Sequence, residues 1–251
     1  MMSTREGMMR KLTVSTVLLG LALWTPVAQA QTPSHFYDFN NSLADGAGGP
    51  SLGSDGGALS AGGYTFGANQ GLTLSGVFSS GSSYSVAIQS YFTTVGGYRK
   101  MVDFADRSVD AGYYNINGQG QLYSLAAGPS GAYSANTLAF TVLTRDATTQ
   151  LFSFYVNGVL QNTVADLGGF GDFSASGGLA RFFEDDLRTG QAEAAGGFVN
   201  YIATYDRALT ADEVASLSVV EGVTTPEPAS LVLLGTGLLA IAGVVKRRKA
   251  A

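Results

Sequence analysis

The 251-residue sequence predicts an all-β fold, a sandwich or barrel of antiparallel strands with one short helix near its end. Three observations predict it. Apolar residues recur with period two in short segments, the mark of strands with one face in a core. Turn signals rich in glycine, of which the chain has 34, separate those segments. Only one stretch carries a convincing helix start.

Residues 35–40 open the strand series. The glycine-rich stretch 46–63 reads as a loop or meander, and residues 64–73 as the next strand. Within 84–92, Tyr84, Val86, Ile88 and Phe92 share a face, with Ser90 interrupting the set. Residues 112–123 read as a hairpin whose turn is open, since Asn117-Gly118 and Gly120 both suit one. A strand at 138–144 precedes the clearest hairpin, 151–164. There Asn157-Gly158 supplies the two positive-φ positions of a type I′ turn, so that Val156 pairs with Val159 and Phe154 with Gln161. Strands at 179–183 and 198–205 follow. Thr210 and Glu213 then form a capping box, the hydroxyl accepting from the Glu amide and the carboxylate reaching back. Val214 and Leu217 give that helix a short apolar stripe. No repeat of constant period runs through the chain.

Both ends are set apart by composition. Residues 1–30 combine basic Arg5, Arg10 and Lys11, an apolar stretch from Leu12 to Trp24, a break at Pro26 and the small-residue site Ala28-Gln29-Ala30. Together these read as a secretory signal peptide, handled by the Sec export machinery and cut by signal peptidase after Ala30. Met8 or Met9 would serve as the start as well as Met1. At the other end, Pro226-Glu227-Pro228 precedes an uncharged run at 229–245, and Lys246, Arg247, Arg248 and Lys249 follow at once. The run is expected to be a transmembrane helix about 25 Å long, slightly short of a ~30 Å hydrocarbon core. The basic end holds it facing the cytoplasm. The domain between the ends is 31–222, and the tail is 223–251.

Cysteine is absent, which removes thiol catalysis, iron–sulfur clusters and cysteine-ligated zinc. Burial alone can stabilise an exported domain of this size. Residues 31–225 hold seven basic against seventeen acidic side chains, a net charge of −10. That balance excludes nucleic acid, whose phosphates need clustered positive charge. It suits a calcium ion, which takes carboxylate oxygens, and it also serves plain solubility.

The Pro-Glu-Pro triplet, the Leu/Gly/Ala-rich run and the basic end, in that order, resemble the PEP-CTERM sorting tail of Gram-negative bacteria. The resemblance implies recognition of Pro226, Glu227 and Pro228 by an exosortase-type membrane protease. It further implies transient anchoring in the inner membrane, removal of the tail, and delivery to the cell surface or the exopolysaccharide matrix. A permanent anchor is the plainer alternative. The segments FYDFNNSLAD, FYVNGVLQNTV and GGFVNYIATYDRALTADEVASL are similar to LamG-like, concanavalin A-like jelly rolls over residues 35–219. That similarity implies a two-sheet antiparallel jelly-roll sandwich. It leaves activity open, because such folds host lectins, adhesion modules, glycan hydrolases and lyases.

Signals for catalysis are missing. Jelly-roll glucanases carry alternating acids on one strand, and the nearest run here, Glu184-Asp185-Asp186, is consecutive and expected to begin a loop. The single histidine, His35, is expected at a mobile or edge position rather than as a buried base. No catalytic residue is assigned. The acidic loop has three readings: a solvated loop, a calcium site from Asp185, Asp186 and Glu193, or ion pairs with Arg181 or Arg188. For a glycan, stacking needs aromatic faces beside polar groups. Tyr113 and Asn115 share a face of their strand and are the candidates, with Tyr123; ordinary strand propensity explains the same tyrosines. The expectation is an exported, non-catalytic protein that binds glycan or builds matrix. The alternative is a polysaccharide-cleaving enzyme with an atypical site.

Overall fold

The computed structural model describes residues 31–220. The expected signal peptide with Ala28 and Ala30, and the tail with its triplet, apolar run and basic end, lie outside the described residues. Among the described residues, no helix is long and apolar enough to cross a membrane.

Among the described residues, fourteen strands form two antiparallel sheets. The larger contains β1 (His35–Tyr37), β3 (Ala58–Ser60), β4 (Gly63–Phe66), β6 (Tyr84–Phe92), β10 (Ala139–Asp146), β11 (Leu151–Val156), β12 (Val159–Ala165) and β14 (Gly197–Tyr205). Its order is β12-β11-β10-β6-β14-β4-β3, with β1 also paired to β14. The smaller contains β2 (Gly53–Ser54), β5 (Leu72–Leu74), β7 (Tyr98–Asp103), β8 (Gly112–Ile116), β9 (Gln119–Tyr123) and β13 (Ala180–Phe182), in the order β2-β5-β13-β7-β8-β9.

The sheets pack face to face because each has an apolar inner side. Tyr84, Val86, Ile88 and Phe92 of β6 face inward, as their period-two spacing requires. They join Leu143, Phe152, Phe154 and Ile202 of the same sheet, and Leu72, Leu74, Tyr113, Leu122 and Phe182 of the other. Aromatic pairs cross the gap: Tyr113 meets Phe154 at 5.4 Å between ring centres, and Phe66 stacks on Phe183 at 4.2 Å. Each such side chain, fully buried, stabilises the fold by about 1.5–3 kcal/mol relative to exposure.

The Asn157-Gly158 hairpin forms with both residues at positive φ, 51° and 78°. Val156 pairs with Val159 as expected, but Phe154 pairs with Asn162. A bulge at Gln161 displaces the register and so corrects the Phe154–Gln161 pairing. The 112–123 hairpin settles on Asn117-Gly118, with φ of 53° and 83°. The strand expected over 64–73 is two strands in different sheets. A turn at 67–70, with Gln70 N–H donating to the Gly67 carbonyl and Asn69 at positive φ, carries the chain across. Gly71 has to lack a side chain, since a Cβ there would stand 1.9 Å from the Phe182 carbonyl oxygen of β13. The 46–63 meander contains β2 and β3, and β7 was not foreseen as a strand.

The capping box holds. Thr210 N–H donates to Glu213 Oε2 at 2.8 Å and Glu213 N–H to Thr210 Oγ1 at 3.4 Å, opening α1 (Ala211–Val220). Val214 and Leu217 bury against Ala87, Phe140, Val142 and Ala203 on the outer face of the larger sheet.

Candidate functional site

The outer face of the smaller sheet is covered differently, by the loop of residues 183–196. Its foundation is a bulge in β7. Lys100 pairs with Tyr114 and Val102 with Tyr113, so Met101 is an extra residue. Residues three apart on a regular strand point to opposite faces. The bulge cancels that alternation and turns Lys100 and Asp103 outward together, with Lys100 Nζ 3.3 Å from Asp103 Oδ2.

The loop lays its acids over this lysine. Lys100 N–H donates to the Glu193 carbonyl, and Phe183 N–H to the Met101 carbonyl, fastening the loop to β7. Lys100 Nζ then lies 2.7 Å from Asp186 Oδ2 and 3.5 Å from Asp185 Oδ1. It also stands 5.0 Å from the centre of the Tyr114 ring. The lysine and all three aspartates have no solvent-exposed side-chain surface. Asp186 Oδ1 accepts from the amides of Arg188 and Thr189. Asp185 Oδ2 accepts from the Glu193 amide and the Thr189 hydroxyl. Burial opposes ionisation of Asp186, but Lys100 and the two amides outweigh it and hold the carboxyl at about 2. Next to it Glu184 pairs with Arg181 at 2.9 Å. Its other oxygen is buried without a hydrogen-bond partner, and burial pushes its carboxyl up to about 7 against the pull of Arg181 and Arg107.

The solvated-loop reading is therefore corrected: residues 184–186 are buried, because a lysine and two arginines neutralise them in place. The ion-pair reading holds for Arg181, whereas Arg188 donates to the Ser108 carbonyl. The proposed ligand set changes by one member. Asp186 and Glu193 stand with Asp110, each offering a carboxylate oxygen within 4.8 Å of the others, while Asp185 is outside that cluster, its Oδ2 accepting from the Glu193 amide and the Thr189 hydroxyl and its Oδ1 lacking a hydrogen-bond partner. These oxygens are the donor type calcium takes. Crowding is evident in Glu193: burial first, then the charges of Asp185 and Asp110, raise its carboxyl, and its Oε2 is buried without a hydrogen-bond partner.

Tyr113 and Asn115 are corrected as ligand residues. They do share a face, but it is the inner one, and both are fully buried. The Tyr113 hydroxyl lies 2.9 Å from that of Tyr133 inside the sandwich, and Asn115 Oδ1 accepts the Gly118 amide to brace the turn. The outward residue of β8 is Tyr114, whose hydroxyl donates to Asp110 at 3.2 Å. Around it stand Tyr98, 39% exposed, and half-buried Tyr123. The three rings meet edge to face at 5.8–6.1 Å. The charge of Asp110, then partial burial, raises the Tyr123 hydroxyl, so that phenol belongs to the same patch. Tyr98 was missed because β7 was. Its signal was present: Tyr98, Lys100 and Asp103 point outward once the extra residue is counted.

Two accessible tyrosines beside partly open carboxylates can stack on one face of a flat polyhydroxylated ring and accept its hydroxyl protons. His35 lies on β1, which among the described strands pairs only with β14, matching the edge expectation. Its ring is nevertheless fixed, with Nδ1 2.5 Å from Asp45 Oδ2.

Residues 224–249 match the PEP-CTERM protein-sorting motif, which marks an exported protein. No curated protein matches the chain. The fold is similar to domain 4 of AbnA, a GH43 extracellular arabinanase from Geobacillus stearothermophilus: 14% identity, 76% of this chain, 100% of that one, TM-score 0.54. It is similar to Trypanosoma rangeli sialidase at 16% identity and TM-score 0.56, over 74% of this chain and 32% of the sialidase. It is also similar to the binding domain of botulinum neurotoxin serotype D at 11% identity and TM-score 0.55, over 74% of this chain and 51% of that one. The chain thus spans a third of the sialidase and half of the toxin domain. These likenesses establish the jelly-roll sandwich fold.

Proposed function

We propose that the protein is a non-catalytic glycan-binding component of the cell surface or exopolysaccharide matrix, released there after an exosortase removes its tail. The observation that carries the binding reading is the patch of Tyr98, Tyr114 and Tyr123 beside Asp110 and Glu193, on an otherwise well-covered sheet. Two fold neighbours support the ligand class, since the arabinanase domain was seen with arabinotriose and the sialidase with sialic acid. The sorting motif supports the location. The Asp110–Asp186–Glu193 cluster offers calcium a place at the edge of the patch.

A glycan array probed with residues 31–222, with calcium and with chelator, tests this. Binding that Tyr98→Ala weakens by about 2- to 10-fold, the worth of one aromatic contact, is expected. A blank array with cell attachment retained would replace glycan by a protein partner. One observation favours the catalytic alternative: Glu193 is raised while Asp186 beside it is held ionised, the split that acid and base roles require. Release of reducing ends or unsaturated sugars from a bound polysaccharide would establish it.

A further inference from the structure

Away from the patch, a cavity of about 280 Å³ opens at one end of the sandwich. The start of β1, the loop leading into β6 and the end of β14 enclose it. His35, Ser79, Ser82, Ser83, Tyr205 and Asp206 line it, together with Val77 and Phe78. The histidine is built into place. Asp45, with no exposed side-chain surface, accepts from the amides of Phe36, Ala47 and Gly49 at 2.8–3.0 Å as well as from His35 Nδ1. Those bonds outweigh burial and hold its carboxyl below the usual range. An ionised carboxylate can only accept, so Nδ1 carries a proton, and in the neutral ring Nε2 is the bare nitrogen left for a ligand.

Nothing in the tyrosine patch uses this arrangement, and its elements are different ones. A fixed acceptor nitrogen, serine hydroxyls that both donate and accept, and a carboxylate at Asp206 suit a polyhydroxylated molecule. The volume sits at the lower edge of ligand pockets, about 300–1,000 Å³, which limits the occupant to a small one. The geometry points to a second site, for a monosaccharide or the terminal residue of a glycan, with His35 Nε2 accepting one of its hydroxyls. It rests on the glycan-binding reading only for the class of ligand. A chain with an edge platform and an end cavity would hold a polysaccharide at two points, or bridge two chains of it.

The protein's single histidine makes the test direct. The full chain, purified in detergent without a histidine tag and carrying isotope-labelled histidine, gives one imidazole signal set. Free, it should report the Nδ1-protonated tautomer. Methyl glycosides of neutral hexoses and of N-acetylglucosamine are then titrated to about 50 mM, well past the millimolar Kd of a weak sugar site. A saturable shift is expected. Ser79→Trp, at an exposed lining position, should weaken it at least 10-fold, and Tyr98→Ala should leave it unchanged. An imidazole that no glycoside moves, or a shift that Ser79→Trp leaves intact, overturns the proposal. The array result for the patch stands or falls separately.

Discussion

The two sheets face the same problem, an outer surface that must be covered, and meet it in opposite ways. On the larger sheet a short helix lays Val214 and Leu217 on Ala87, Val142 and Ala203. On the smaller, a loop lays Asp185 and Asp186 on Lys100. The helical cover is apolar and non-directional, so it needs only volume and a capped start. The polar cover needs each charge placed, and it is incomplete: Glu184 Oε1 and Glu193 Oε2 lack hydrogen-bond partners. A cover that is costly to build and leaves tyrosines open at its rim is where a ligand is expected.

Removing the cation should break the polar cover hardest. Lys100→Met leaves three buried aspartates without their counter-charge, and a loss of about 3–5 kcal/mol is expected in urea unfolding. The matching change in the apolar cover, Leu217→Ala, should cost about 2–3 kcal/mol, the low end for a buried leucine at a partly yielding site. If the two losses prove equal, the lysine is not the keystone of its loop.

The covers also differ in pH response. The Glu184 carboxyl is raised to about 7 from 4.5, so the folded state favours its protonated form. Its contribution is complete below about pH 4.5 and is lost as pH rises through 7. Asp186, held at about 2, acts the other way: its contribution is present above its usual value near 3.8 and is lost as pH falls towards 2. Tm measured from pH 4.5 to 7 should therefore decline, and Glu184→Gln should flatten that decline. In the helical cover Glu213 is held at about 2 by Arg207, and it adds only a small rise at the acid end of this window. The smallest stability effect should come from Tyr98→Ala. It is expected within about 0.5 kcal/mol of the parent because Tyr98 is exposed, even as it reduces glycan binding.

Much of the sandwich was legible because its cues are local. The Asn157-Gly158 turn, the alternation in 84–92 and the Thr210–Glu213 box each need only a few neighbouring residues. The site was less legible because bulges and crossings depend on partners far along the chain. Nothing near Met101 marks it as an extra residue; that follows from its pairing with β8. Tyr113 and Asn115 were placed on one face correctly, but which face met the core depended on the other sheet. The acidic loop read as solvated because its counter-ion, Lys100, lies more than eighty positions upstream.

The bulge at Met101 carries a lesson about inheritance. Lys100 and Asp103 share a face because of the number of residues in β7, and no point substitution alters a count. Deleting the extra residue would leave Lys100 and Asp103 two apart on a regular strand, still sharing the outer face, whereas straightening the bulge at unchanged length would turn one of the two into the aromatic interior. Relatives one residue shorter in this strand can therefore keep the lysine and its acidic lid on a regular strand, while relatives of the same length need the bulge, so that strand length and bulge together, more than identity at any single position, should sort the relatives that keep the patch from those that do not.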